Sequence, residues 1–189
     1  MIDLLNEDDR TQLLDLARRA LEARVRRVPP PIAECNGRLA ARQGAFVSIH
    51  HRGDLRGCLG HVLLDTPLGQ TIVHLAGVVA DSDPRFEAVS LNELPDLQVE
   101  ISVLTPPREI AAVDEIEVGR HGLIVEDGRR RGLLLPQVAV EYRWTRETFL
   151  EHTCIKATLP RDAWQHGARI LVFEAQVFGE NQSEGTTVI

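Results

Sequence analysis

Residues 97–103 alternate without a break: Leu97, Val99, Ile101 and Val103 are apolar, and Gln98, Glu100 and Ser102 between them are polar. A period of two with one apolar face is the pattern of a half-buried antiparallel strand. Other segments fit the same sheet. Residues 46–51 alternate like a strand, Gly53-Asp54 marks a tight turn, and residues 55–63 read as the returning arm of a hairpin. Residues 123–126 and 132–135 flank Asp127-Gly128 as a second hairpin, and residues 170–178 form a final strand. Helices are interspersed with these strands. Asn6 caps one running to about residue 27, stopped by Pro29-Pro30-Pro31. Thr66 caps a second with Pro67 at its first position, ended by Asp81-Ser82-Asp83-Pro84. Ser90-Leu91-Asn92-Glu93 is a short capping box. Thr145 caps a third helix holding Phe149, Leu150 and Cys154. The regular βαβ rhythm of a parallel sheet is absent, so the fold class is α+β with antiparallel pairing.

The chain has 189 residues and 43% hydrophobic content, enough to bury a core, and that core must be aliphatic because aromatics make up only 4%. Pro106-Pro107 is a break that can divide two lobes, with the final strand returning to the first sheet. A net charge of −7 argues against nucleic acid as the main partner, since phosphate contacts need a positive field. Arg129, Arg130 and Arg131 follow the Asp127-Gly128 turn and read as a solvated turn. No stretch approaches the roughly 18 apolar residues of a membrane span, and the acidic start does not suit a signal peptide, so a cytoplasmic protein without membrane attachment is expected. Cys35, Cys58 and Cys154, odd in number and widely spaced, suit reduced thiols.

The most unusual string is Leu55-Arg56-Gly57-Cys58-Leu59-Gly60. Two glycines inside a strand mark a bulge or a close approach to the backbone. In a regular strand Arg56 and Cys58 share a face, and a nearby guanidinium favours thiolate over thiol, as a nucleophilic or redox cysteine requires. The opposing reading is that a two-residue turn at Gly53-Asp54 places Cys58 opposite Ile49, as a small apolar core residue. Asp81-Ser82-Asp83-Pro84-Arg85-Phe86 is a second dense polar group. It is either turn chemistry or, if it lies against the Cys58 hairpin, part of a site.

His121 stands between glycines in Val118-Gly119-Arg120-His121-Gly122, where an imidazole can project as an acid, base or ligand or sit in a plain turn. His50, His51, Cys58 and His61 invite a metal, but adjacent His50 and His51 point to opposite strand faces, so no metal site is expected there. Lys156 is the lone lysine against 20 arginines. The helix dipole explains a cation at that position; only a burial-shifted or point-charge ammonium specifically needs lysine. The motifs of P-loops, dinucleotide folds, serine hydrolases and zincins are absent, so no cofactor is assigned.

The string at residues 55–60 resembles the signature of the AMMECR family, named after a chromosomal region linked to Alport syndrome with elliptocytosis. Gly44-Ala45-Phe46-Val47, Asp83-Pro84-Arg85-Phe86, Ser102-Val103-Leu104-Thr105, Gly119-Arg120-His121-Gly122-Leu123, Leu135-Pro136-Gln137-Val138 and Lys156-Ala157 resemble its further motifs, in order. The resemblance spans residues 10 to 178. It implies one α+β domain over residues 1–189, an antiparallel sheet flanked by helices in two subdomains, with a cleft near the cysteine hairpin; the return of the final strand makes the subdomains discontinuous in sequence, and the polar residues 179–189 read as a loose tail. It also implies a setting: microbial members resemble protein A of the AmmeMemoRadiSam system, whose genes accompany a Memo-type protein and a radical SAM enzyme. The candidate site carried over is Arg56, Cys58, Asp83, Arg85, His121 and Lys156.

Two functions follow. In one, the protein is a small-molecule enzyme or enzyme component, with Cys58 as nucleophile or ligand, Arg56, Asp83 and Arg85 binding the substrate, and His121 or Lys156 moving protons. In the other, it is a non-catalytic adaptor presenting the hairpin to a Memo-like or radical SAM partner. One departure from the family pattern bears on structure: Thr158 replaces a usual glycine after Lys156-Ala157, and threonine does not take a positive φ cheaply.

Overall fold

A computed structural model describes residues 5–62, 65–180 and 187–188. In chain order the main elements are α1 (Glu7–Arg26), β1 (Ala45–His51), β2 (Asp54–His61), α2 (Leu68–Val78), β3 (Leu97–Leu104), β4 (Arg108–Glu109), β5 (Gly122–Asp127), β6 (Arg130–Leu134), α3 (Pro136–Glu141), α4 (Arg146–Lys156), β7 (Arg169–Phe173), β8 (Ala175–Gly179) and β9 (Thr187–Val188). The class is α+β, as the alternation requires. The chain divides into two compact units, one built from residues up to Leu104 and Gln176–Thr187, the other from Thr105–Ala175 together with Val188.

In the first unit five strands run in the order β2-β1-β3-β8-β9, with β1 antiparallel to both β2 and β3. The apolar set of β3, Leu97, Val99, Ile101 and Val103, is buried together with Ala45, Val47 and Ile49 of β1. Leu13, Leu16, Ala17, Ala20 and Leu21 of α1 and Leu68, Ile72, Leu75 and Ala76 of α2 join them in one core. These helical positions recur at 3.6-residue spacing, which gives each helix a single apolar stripe to lay on the sheet. Asn6 caps α1 in a full capping box with Asp9. The helix ends before the three prolines, at Arg27 in the left-handed region (φ 57°), with the Val28 amide donating to Ala23. The second helix starts one residue later than expected, with Pro67 rather than Thr66 at the cap position.

The second unit has a four-stranded sheet ordered β4-β7-β5-β6. Phe149, Leu150 and Cys154 of α4 are buried against Leu123, Val125 and Val172. Thr145 caps α4 through the Thr148 amide, and the short α3 before it is a helix that the alternation of residues did not reveal. The final strand is broken at Glu174, so β7 belongs to the second sheet and β8 to the first. Of the expected loose tail, residues 181–186 and 189 lie outside the described residues, as does Leu63 of the expected hairpin arm. Gly179 closes β8, Glu180 pairs with Arg18, and Thr187–Val188 form β9.

Both hairpin turns sit one residue away from their expected positions. His51 pairs with Asp54 and Asp127 with Arg130, so the turns are Arg52-Gly53 and Gly128-Arg129. In the first, Arg52 takes φ 54° and Gly53 φ 93°, the signs required at both central residues of a type I′ turn. In the second, glycine stands at the first central position with φ 59°. The arginines after it are a solvated surface: Arg130 meets Asp127 and Arg131 meets Glu126.

Candidate functional site: the cysteine hairpin and its aspartate loop

The turn at Arg52-Gly53 pairs His50 with Leu55, but Ile49 pairs with Gly57 and Ser48 with Cys58. Arg56 is therefore the extra residue of a β-bulge, which re-phases the strand. This corrects the expectation that Cys58 lies opposite Ile49. Its partner Ser48 faces away from the helices, since Val47 and Ile49 on either side point into the core. Cys58 is half-buried and free, and lies outside the apolar core. The Ser48 hydroxyl donates to its Sγ at 3.1 Å.

The two glycines flanking Cys58 mark close approaches on opposite faces. A Cβ on Gly57 would come within 3.1 Å of the Val79 carbonyl oxygen, and one on Gly60 within 2.0 Å of the Phe46 ring. Strand β2 is an edge strand, so its outward amides need partners other than a neighbouring strand. Asp83 supplies one: its Oδ2 accepts the Cys58 N–H at 2.9 Å. That amide points away from β1, so Ser48 and Cys58 form a non-hydrogen-bonded pair, the closer of the two antiparallel geometries.

The loop from Asp81 to Phe86 thus lies against the hairpin, and its aspartate is more than turn chemistry. Asp83 is only 4% exposed. Besides Cys58 it accepts the Arg85 amide at 3.1 Å and the Arg85 Nε and Nη2 at 3.0 and 2.7 Å. The Arg85 guanidinium, aided by the two amides, holds the Asp83 carboxyl far below the usual carboxylate range against the opposing effect of burial. Arg85 Nη2 also reaches the Cys58 carbonyl at 3.4 Å. Both backbone groups of Cys58 on the open edge are therefore held by the Asp83–Arg85 pair, while the Arg85 side chain stays 56% exposed and stacks over Phe86 at 5.3 Å.

Arg56 does not point its charge at the thiol. Its Nε donates to Glu93 at 2.8 Å and its Nη atoms to the Glu87 and Ala88 carbonyls at 2.8 and 3.5 Å. Glu93 also accepts the Ser90 amide and hydroxyl. The Arg56 ion pair, chiefly, lowers the Glu93 carboxyl from 4.5 to about 2. Sequence reasoning missed Glu93 in this role because Ser90-x-x-Glu93 reads as a helix cap, whereas here it forms a turn locked to the bulge. It missed Ser48 as well. The available signal was its polar place in β1, one position from the apolar set.

The three histidines of the strands lie near separate carboxylates: His50 3.9 Å from Glu100, His51 3.7 Å from Asp96 and His61 3.1 Å from Asp65. Among the described residues no group of three or more His, Cys, Asp or Glu side chains is placed to hold a metal ion.

The second unit holds the other two candidates. His121 is buried, its Nδ1 accepting the Glu117 amide at 3.1 Å. Burial pushes its imidazole toward the neutral form. Lys156 ends α4 and is exposed, with no ion pair among the described residues. Exposure removes the burial argument for a lysine at this position and leaves the helix-dipole one. Behind it β6 approaches the helix so closely that a Cβ on Gly132 would lie 2.3 Å from the Ala157 nitrogen. Thr158 does adopt the left-handed region, at φ 58°.

Fold and site together define an α+β protein with an antiparallel sheet covered by helices on one face and, at its open edge, a bulged cysteine hairpin clamped by a buried aspartate. The AMMECR1 family model matches residues 14–178, and the chain belongs to that family. It is 40% identical to a protein of Methanosarcina acetivorans over 195 aligned positions, 98% of each chain. It is 39% identical to one of Thermofilum pendens, covering 97% of this chain and 95% of the other. Among solved structures, an uncharacterized protein from Pyrococcus horikoshii is similar at 40% identity with a TM-score of 0.80, covering 89% of this chain and 90% of that one. Among the described residues no helix is long and apolar enough to cross a membrane.

Proposed function

We propose that the protein is a small-molecule enzyme or enzyme component, working with a Memo-like protein and a radical SAM enzyme, in which Cys58 acts as nucleophile or ligand. The observation that carries this reading is the dressing of Cys58. Its side chain lies off the core with a hydroxyl on Sγ, while Asp83 and Arg85 fix its amide and carbonyl. A cysteine kept only for packing needs no such frame. A reacting thiol does, because its direction must be set to within a fraction of an ångström. Arg56 is committed to Glu93, so the exposed Arg85 is the cation that would hold an anionic group next to Cys58, with Asp83 as the positioning residue beneath it.

The adaptor reading has one observation in its favour: Leu55, next to the hairpin turn, is 41% exposed. Cys58→Ser separates the two. Metabolite profiles of cells carrying the serine variant, with and without the radical SAM enzyme, should match those of cells lacking the protein if the thiol acts chemically. Wild-type profiles in the serine strain, together with co-purification of a Memo-like partner that is lost only when the hairpin is disrupted, would replace the enzyme by the adaptor.

A further inference from the structure

Strand β1 lies between β2 and β3, and its Ser48 is the register partner of Cys58 on one side and of Glu100 on the other. Register partners share a face, so Cys58, Ser48 and Glu100 stand in one line across three strands, on the side of the sheet away from the helices. His50, two residues beyond Ser48, points to that side as well. Its Nε2 lies 3.9 Å from Glu100 Oε1, so the ring leans toward the same line. Phe46, two residues before Ser48, bounds the line on its other side with its ring over Gly60. Cys58 thus has an aromatic ring on one diagonal and an imidazole on the other. Diagonal neighbours on one face of an antiparallel pair stand about 7–8 Å apart, within reach of aromatic and long side chains.

The His50 and Glu100 side chains are 28% and 31% exposed, so both are held by the sheet and both are open to solvent. The other β3 residues on this face, Gln98 and Ser102, are uncharged. From the loop after α2, Arg85 and Asp83 act on Cys58, and they are paired with each other. Arg56 is paired with Glu93. His51, on the opposite face, and Arg52 both meet Asp96. The charges around Cys58 are therefore matched among themselves, and the imidazole of His50 is the group on this face able to take a proton near neutral pH.

We propose that His50 is the proton acceptor of Cys58, with Glu100 as the residue that positions it; the assignment rests on the reading of Cys58 as a reacting thiol. The S–H bond breaks with its electron pair kept on sulfur, an N–H bond forms on the imidazole, and no electron is exchanged. With Glu100 on the Nε2 side, Nδ1 is the nitrogen left to take the proton. The Ser48 hydroxyl donates to the thiolate, and the Glu100 carboxylate faces the imidazolium. The test is the rate of Cys58 alkylation by iodoacetamide in the folded, full-length protein, followed by mass spectrometry between about pH 5 and 9. A thiol and an imidazole that exchange a proton titrate as a pair, so the wild-type profile should have two steps. His50→Gln should leave the single step of a lone thiol and react about tenfold more slowly near pH 6. Glu100→Gln should keep both steps with the imidazole step moved to lower pH, because a neighbouring carboxylate favours the charged ring. If His50→Gln does not fold, the Glu100→Gln profile decides. A single step in wild type, equal rates in wild type and His50→Gln, or an imidazole step unmoved in Glu100→Gln would overturn the assignment while leaving Cys58 a reacting thiol. A Cys58 that does not react in the folded protein would overturn both the assignment and the function proposed above.

Discussion

Asp83 and Cys58 are 25 residues apart in sequence, and the carboxylate of one accepts the backbone amide of the other at 2.9 Å. The contact closes the open edge of β2 with a side chain where a strand would otherwise be needed. It also ties the helix that precedes Asp83 to the hairpin, so the stability of the first unit and the placement of the thiol depend on the same carboxylate.

Asp83→Asn keeps the shape but loses the charge that draws two guanidinium bonds and two amides. The variant is expected to be less stable by about 2 kcal/mol, the scale of hydrogen bonds to a charged group. The folded-state carboxyl lies below its unfolded value, so its contribution is complete above the unfolded pKa, near 4, and is lost as pH falls below that. Urea unfolding of the two proteins should therefore differ most at neutral pH and converge toward pH 2. A constant difference across that range would contradict the assignment.

Glu93→Gln should follow the same sign. Its carboxyl moves from 4.5 to about 2 in the folded protein, so the stability it adds is present above about 4.5 and disappears as pH falls through 2. Because Arg56 is the bulge residue, this variant should also loosen the hairpin. Hydrogen exchange at the β1–β2 amides is the measurement, with faster exchange than wild type expected at neutral pH.

Three glycine-to-alanine variants should rank by what the added methyl meets. On Gly132 it meets the backbone of α4, at 2.3 Å from the Ala157 nitrogen, which cannot move without the helix. A loss of about 3 kcal/mol or more is expected. On Gly60 it meets the Phe46 ring, which can turn, and the loss should be smaller. On Gly77, in the α2 helix with nothing within 4 Å, alanine should stabilise by about 0.5 to 1 kcal/mol. Thermal unfolding gives the order directly.

Thr158→Gly tests the departure from the family pattern. Threonine holds φ 58° after α4, helped by its hydroxyl donating to the Ala157 carbonyl. Glycine removes a strain of about 1 kcal/mol or more and gives up that bond and some unfolded-state restriction. A net gain smaller than the strain itself, under about 1 kcal/mol, is expected in thermal unfolding; a loss would show that the hydroxyl bond and the unfolded-state restriction outweigh the strain.

Much of the fold was legible because it depends on one-dimensional periodicity. The alternation of residues 97–103 names the buried face of β3, and the spacing of Leu13, Leu16, Ala17 and Ala20 names that of α1. What escaped were phase shifts. A turn centred one residue early and a bulge at Arg56 move Cys58 from Ile49 to Ser48, and composition carries no record of such a slip. Arg56 and Asp83 were both visible as unusual, but their partners Glu93 and the Cys58 amide are long-range and follow only from the packed structure. The break at Glu174 went unseen for a different reason: residues 170–178 are uniformly strand-like, and the chain changes sheets without a proline or glycine to mark it.

The Asp83–Arg85 clamp holds half-buried Cys58 outside the apolar core, where its thiol should be open to a small reagent. Alkylation of the native protein with iodoacetamide, mapped by mass spectrometry across a urea series, tests this directly. Cys154 is fully buried and should be modified only as the protein unfolds, while Cys58 should be modified in the absence of urea. A Cys58 that reacts only along the unfolding curve of Cys154 would contradict the account.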